Sequence, residues 1–395
     1  MQGLEFHLTG LWLPEATTVP YYGRISDPLA GSVQIPRNES RTASVTVSTR
    51  DPVLEPLAAL VQVPYAVMLK AYYRGLLVFW GPVKVRGGQF GAGTVRLDAV
   101  DMSLRFIKHF LGRGDLAVTG QGEFTAANDD VGFVTLDDNG LRALRDAVDT
   151  VSFPTLGVPD GTTDVTPAPL SKMEVSRSDQ VWNSMLQLSQ TDGAPDFELE
   201  PVDNTVQTYA KLNTFTKQGT DRTAAVQFHY GTGLANLEDL EFVEGEEYVN
   251  LVHVQDRDKK YLKTTTNATA LARTGPYIDW DTTDFGAPAG STQAQAEAVL
   301  GAYGRGLITA YSQPLTALTA TLPVDTATSL RYGTDFFIGD TIGVAGKDGY
   351  LTLPLGAYRI ERVGLALDGS DGATRTSLDV VADRTSGDTI DNSGA

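Results

Sequence analysis

Apolar and polar positions alternate in twos along both ends of this chain and follow a helical period only in short stretches between, so most elements read as strands. Leu4, Phe6 and Leu8 predict a strand within residues 4–13, after which Pro14, Pro20, Gly23 and Pro28 mark a loop or a pair of turns. Ala43–Ser48 alternates through Val45 and Val47, the pattern of a strand with one buried face. Asp51-Pro52 starts a helix carrying Leu54, Leu57, Ala58 and Val61, which Pro56 keeps to little more than two turns and Pro64 ends. Tyr65–Tyr73 and Leu76–Lys84 predict two apolar strands joined by a tight Arg74-Gly75 hairpin. A glycine-rich turn, residues 87–93, leads into the alternating strand Thr94–Val100, and Asp101 opens a helix from Met102 to Leu111 that Gly112 stops.

The middle differs in character. Asn139 caps a helix over 140–150 with Leu141, Leu144 and Val148 on one side, and the Pro-, Gly- and Thr-rich stretch 152–169 reads as a long loop. Ser178 caps a clearer helix, Asp179–Gln190, with Trp182, Met185, Leu186 and Leu188 facing inward. Trp182 reads as a core anchor in preference to a ligand platform. Phe197–Glu200 predicts an edge strand. Strands then return at Val226–Tyr230, at Leu237–Phe242 and over 248–256. Residues 291–306 form an alanine-rich helix with Thr292 and Gln295 at capping-box spacing and Ala296, Val299, Leu300 and Tyr303 facing in. Further strands follow at Leu315–Leu322, Asp340–Val344, Gly356–Leu367 and Arg375–Val381, the last two joined by a hairpin at Asp371-Gly372.

Composition narrows the class of function. The 395 residues are enough for two or three domains with their own cores. No apolar run of membrane-spanning length occurs, and Met1–His7 lacks the basic start and apolar stretch of a signal peptide, so synthesis and folding in a cytoplasm are expected. There is no cysteine, which removes disulfides, thiolate catalysis and cysteine-ligated zinc. The net charge of −18 is unevenly spread. Residues 1–122 carry 12 basic and 9 acidic side chains, 123–205 carry 4 and 16, and 206–395 carry 15 and 24. Such a chain lacks the clustered Lys and Arg that bind nucleic acid by counterion release. The acidic middle reads as a solvated surface that aids solubility.

Candidate chemistry is sparse. The glycines of 87–93 precede no Lys-Ser or Lys-Thr and join two strands, so a hairpin tip fits them better than a phosphate cradle. His7, His109, His229 and His253 are scattered without an i, i+4 pair, which suits packing or surface roles rather than a metal site. Asp368–Gly372 lacks the closing Glu of a calcium loop and reads as a β-turn. Asn38-Glu39-Ser40 and Asn267-Ala268-Thr269 match glycosylation acceptors by chance. Two alternatives to a shape-building protein stay open. Asp279-Trp280-Asp281 offers a carboxylate pair for a glycoside hydrolase, and Trp12, Tyr21 and Tyr22 offer exposed aromatics for a carbohydrate-binding baseplate protein or adhesin.

Taken in order, several segments resemble a known family. They are the tyrosine-rich strand with its Arg74-Gly75 turn and Val78-Phe79-Trp80-Gly81-Pro82-Val83; Val95, Leu97, Ala99 and Asp101; Asn236–Phe242; Val249–Val254; Pro314-Leu315; Gly339–Val344; Tyr358–Gly364; and the Asp371-Gly372 hairpin. This order is similar to the baseplate hub, or tail-tip minor tail, proteins of long-tailed bacteriophages. The resemblance implies a mainly β (α+β) chain with two tube-forming β-barrel domains, at 1–113 and 226–384, the second carrying the inserted helix 291–306. It implies an acidic α+β insertion at 114–225 and a disordered tail at 385–395. It implies a structural, non-enzymatic virion protein at the tail tip, without cofactor or metal, joining a sixfold tail tube to a threefold tip and framing the DNA exit. The implied partners are two further copies in a homotrimer, the distal tail protein ring, the tape measure protein and tip or fibre proteins. DNA would pass through the lumen without specific binding, and this chain would not insert in a membrane. Many hubs continue into a fibre, peptidase or hydrolase module, whereas this sequence stops soon after its second β-block.

Overall fold

The computed structural model describes residues 3–10, 19–89, 91–108, 122–123, 131–135, 140–142, 144, 160–164, 172–176, 179–190, 194–203, 208–231, 235–244, 249–256, 260–268, 271–272, 275–276, 278–282, 292–311, 316–323, 330–368, 373–382 and 390–391. The first block holds β1 (Leu4–Gly10), β2 (Tyr21–Arg24), β3 (Pro28–Pro36), β4 (Thr42–Ser48), α1 (Ala58–Val61), β5 (Val67–Tyr73), β6 (Leu76–Gln89), β7 (Thr94–Val100) and α2 (Ser103–Ile107). The middle holds β8 (Gly122–Glu123), β9 (Val131–Thr135), β10 (Asp160–Asp164), β11 (Lys172–Ser176), α3 (Val181–Ser189), β12 (Asp196–Asp203) and β13 (Thr208–Phe215). Then follow β14 (Gln227–Tyr230), β15 (Asp239–Glu244), β16 (Leu251–Gln255), β17 (Leu262–Asn267), β18 (Ile278–Thr282) and α4 (Gln293–Tyr311). The chain closes with β19 (Thr316–Thr321), β20 (Thr341–Asp348), β21 (Leu351–Asp368), β22 (Ala373–Ala382) and β23 (Ile390–Asp391). The fold is mainly β.

Thirteen strands from both ends of the chain form one sheet, in the order β15-β19-β22-β21-β3-β4-β7-β6-β5-β1-β2, with β20 on β21 and β14 on β20. Two long strands organise it by changing partners along their length. Residues Leu76–Pro82 of β6 pair with β5, and Val83–Gln89 pair with β7. The corner is Gly81-Pro82, where proline needs no ladder donor and a glycine admits close backbone approach. A Cβ at Gly81 would lie 2.1 Å from the carbonyl oxygen of Val100. In the same way β21 pairs with β20 through Leu351–Arg359 and with β3 through Arg362–Ala366, while β22 runs along its other side.

The β3–β21 pairing joins the two β-rich ends. Val33 faces Leu365 and Ile35 faces Val363 in register, and all four are fully buried. Each contributes about 1.5–3 kcal/mol of apolar burial. Both ends accordingly share one hydrophobic cluster, from Phe6 and Phe79 to Phe228, Phe336 and Val380. The stretch marked from the sequence as a loop or a pair of turns by Pro14, Pro20, Gly23 and Pro28 thus contains β2 and the start of β3, the strand that links the ends.

The tight hairpin forms between β5 and β6 with Arg74 at φ 52° and Gly75 at φ 84°, both left-handed as a two-residue turn requires. Helix predictions hold best in the middle and the late helix: Trp182, Met185 and Leu188 of α3 are buried, and β12 is an edge strand. Of the predicted helix after Asp51 only α1 is regular, because Pro52 and Pro56 leave its first turns irregular. Thr292 and Gln295 form the capping box at the start of α4, the Thr292 amide donating to Gln295 Oε1 at 2.9 Å.

Residues 251–308 do not follow the expected segmentation. Val252, Val254, Val299, Leu300 and Tyr303 belong to a second core with Phe106, Trp182, Phe197 and Leu212. Helix α4 lies on β16 and β17, with Gly304 against Thr265 and Val254. This α/β part is therefore built from two separate stretches of chain. Ile390–Asp391 pairs with β17, and the rest of the predicted C-terminal tail lies outside the described residues, as do Trp12, His109, the Asp371-Gly372 turn and most of the 140–150 helix and 152–169 loop.

Substituting Gly81→Ala should lower stability by about 1–3 kcal/mol, since its Cβ would meet backbone that cannot yield. Gly87→Ala, where nothing lies within 4 Å, should change stability by less than about 0.5 kcal/mol. Denaturant midpoints of the two variants measure the contrast.

Candidate functional site: a buried charge junction

The densest polar cluster lies where β21 changes partner. Asp196, the first residue of β12, is buried between guanidinium groups from both ends of the chain. Arg37, just after β3, donates from Nη1 to Asp196 Oδ1 at 2.6 Å, and Arg359 on β21 donates from Nη2 to Asp196 Oδ2 at 2.7 Å. The Asn38 amide adds a bond of 2.7 Å to Oδ1, and the Gln218 backbone amide one of 2.8 Å to Oδ2. Arg37 also donates from Nε to Glu361 at 2.7 Å, and its backbone amide donates to the Glu361 carbonyl at 2.9 Å. On the other side of the switch, the Ile360 amide donates to the Asp340 carbonyl and the Gly339 amide to the Ile360 carbonyl, each at 2.9 Å. Gly339 and Gly219, at φ 83° and 88°, let these two loops touch, since a Cβ on either would strike the other's backbone.

Strand β12 is held at two further points. The Arg41 side chain donates to Glu198 and, from Nη1, to the Val78 carbonyl at 2.9 Å, while its backbone amide donates to Asp101 Oδ2 at 2.9 Å. At the far end of the strand the Tyr72 hydroxyl and the Lys70 ammonium, both on β5, donate to Asp203. Three segments distant in sequence are thus pinned along one strand.

The electrostatics suit a fastening. Burial pushes the Asp196 carboxyl up, but Arg37, Arg359 and its hydrogen bonds outweigh this and hold it below the usual aspartate value. Burial opposes charge on Arg37, and Glu361 and Asp196 more than compensate, so the guanidinium stays ionised. Asp101 and Glu198 are shifted the other way, because burial outweighs the donors from Ser103 and Arg41. Carboxylates occupied in this way by fixed donors have a structural role; their geometry joins elements rather than presenting an acid or base to a substrate.

The residues singled out from sequence do not converge here. Asp279, Trp280 and Asp281 sit in the centre of β18, in parallel register with Val252, His253 and Val254. His7 Nδ1 lies 2.8 Å from the Tyr21 hydroxyl, and its Nε2 lies 3.5 Å from Glu5. His253 Nδ1 lies 2.8 Å from Thr264 Oγ1, and His229 is in β14. Gly87 and Gly88 extend β6, and Gly91 and Gly93 lie in the turn before β7. Trp182 packs edge-on to Phe197 at 5.4 Å, as a core residue. Among the described residues no three His, Asp or Glu side chains are grouped as metal ligands. No local sequence signal marks Asp196; its partner Arg359, and Glu361, which binds Arg37, are polar positions of an alternating strand.

No family model and no curated protein matches the sequence. Solved structures do match. A tail protein from Neisseria meningitidis MC58 aligns over 96% of this chain and 97% of its own, with a TM-score of 0.59 and 11% identity. The 43 kDa tail protein of prophage MuSo2 from Shewanella oneidensis aligns over 96% and 98%, with a TM-score of 0.56 and 11% identity. At this identity the matches establish a shared fold, end to end.

Asp196→Asn leaves Arg37 and Arg359 facing a neutral group and should cost about 3–5 kcal/mol. The lowered value of Asp196 gives stability that is present above the ordinary aspartate value of 3.8 and lost as pH falls through its folded value. The gap between wild type and variant should therefore narrow below about pH 4 in denaturant titrations. Taking that difference cancels Asp101 and Glu198, whose raised values act with opposite sign.

Proposed function

We propose that this chain is a structural virion protein of a phage tail, the hub at the tail tip that joins the tail tube to the tip and frames the DNA exit. The observation that carries the proposal is the end-to-end fold match to two tail proteins. The two β-blocks support it further. In the first, β2 leads through Ile25, whose amide donates to the Phe6 carbonyl, into β3, so the chain itself links the last strand of the array β3-β4-β7-β6-β5-β1-β2 to its first. In the second, Asn236 bonds His229 and Gln227 and draws the start of β15 beside β14. Each block reads as a tube-forming barrel, and three chains would supply six such units around a threefold axis.

The net charge fits this role. A ring with acidic walls repels DNA and lets it slide, whereas a basic wall would hold it. The partners proposed are two further copies, a distal tail ring, the tape measure protein and tip or fibre proteins.

Light scattering should give three times the 42.3 kDa chain mass, in solution or after incubation with tail particles. Electron microscopy of labelled particles should place the protein at one tail end. A stable monomer absent from particles contradicts the proposal, and binding of host polysaccharide by that monomer would favour an adhesin.

A further inference from the structure

We infer that the tip of the β20–β21 hairpin docks, in a second copy of this chain, on the segment Leu60–Tyr65 and the cleft beside it. This rests on the ring reading above and names the two surfaces that would close the ring.

The receiving surface lies in the first block. Leu60, Val63, Pro64 and Tyr65 are exposed around the end of α1, with buried Val61 and exposed Gln62 between them, and among the described residues no element covers them. Tyr65 has φ 67°, a conformation unfavourable for a bulky residue, and its amide is fixed to the Val83 carbonyl at 2.8 Å. The chain is therefore held in a strained turn that presents apolar side chains to solvent. Beside it opens a cleft of 570 Å³, floored by Val61, Val83 and Val95 and flanked by the exposed Lys84 and Arg86.

The inserting surface is the hairpin. Asp348 pairs with Leu351 across a two-residue turn, Gly349-Tyr350, so the aromatic ring stands at the tip and is 94% exposed. Leu351 and Leu355 are exposed behind it. At the hairpin's base Gly346 meets Leu240 of β15, whose neighbours Asp239, Glu241 and Phe242 are also exposed. One surface is thus apolar with cations around it, and the other apolar with carboxylates around it, Lys347 being the one cation at the tip among the described residues. The wider charge agrees: the N-terminal 122 residues are the one net-positive third of the chain, and residues 206–395 carry 24 acidic against 15 basic side chains. Apolar burial would supply affinity, while the charges set orientation and partner choice. Because every copy carries both surfaces, the contact is head-to-tail and closes into a ring when the rotation permits.

The absence of cysteine makes the test clean. Val63→Cys and Tyr350→Cys alter exposed side chains only, so both variants should fold. Mixed and oxidised, they should give a disulfide-linked pair at least about tenfold more abundant than either variant gives alone. Adding Lys84→Glu and Arg86→Glu to the Val63→Cys chain should cut the linked product by about tenfold. A wild-type chain that forms a closed oligomer while the mixed thiols stay unlinked overturns this pairing and leaves the hub reading standing. Tyr350→Cys linking to itself as readily as to Val63→Cys also overturns it, since that contact would be isologous. A wild-type chain that is monomeric and absent from tail particles, with no linking, removes both.

Discussion

One strand, β21, pairs with β20 along one half and with β3 along the other, and the rest of the structure follows from how this change of partner is held. Between Arg359 and Glu361 the strand leaves β20 and takes up β3. A switch of this kind leaves backbone groups and strand edges exposed unless something fills the gap. Here the Gly339-Asp340 loop bonds one side, Arg37 bonds the other, and Asp196 gathers both arginines beneath them. The same carboxylate begins β12, so fastening the two β-blocks also fastens the α/β part. Removing a charge from such a cluster costs more than removing a surface pair, because the remaining charges stay buried without compensation.

This arrangement suits a protein whose work is shape. Inter-domain contacts within a chain are commonly loose, and relative motion is the default. The ring proposed above would need its two β-blocks at a fixed spacing and angle. A continuous ladder through β3 and β21, backed by a buried ion cluster, would meet that need.

Much of the strand content was legible in sequence because alternation and turn residues report local backbone: the Arg74-Gly75 hairpin, the capping box at Thr292 and the buried face of α3 are all short-range signals. Strand β3 was not, since Pro28, Gly31 and Pro36 mask an alternation carried only by Val33 and Ile35. The placement of 251–308 was hidden for another reason. Its apolar face is the same whichever core it joins, and the choice is made by partners such as Trp182 and Phe197 far away in sequence. Asp196 was beyond reach for the same cause: Arg37 and Arg359 come to it from 159 and 163 residues away. Long-range charge pairing leaves no local periodicity.

The most direct measurement of this account is native-state amide hydrogen exchange across β3, β12 and β21. If the junction welds the blocks into one unit, amides on all three strands should exchange only through global unfolding, with a single protection free energy. Exchange of β12, or of the β3–β21 ladder, through a separate and lower-energy opening would contradict it.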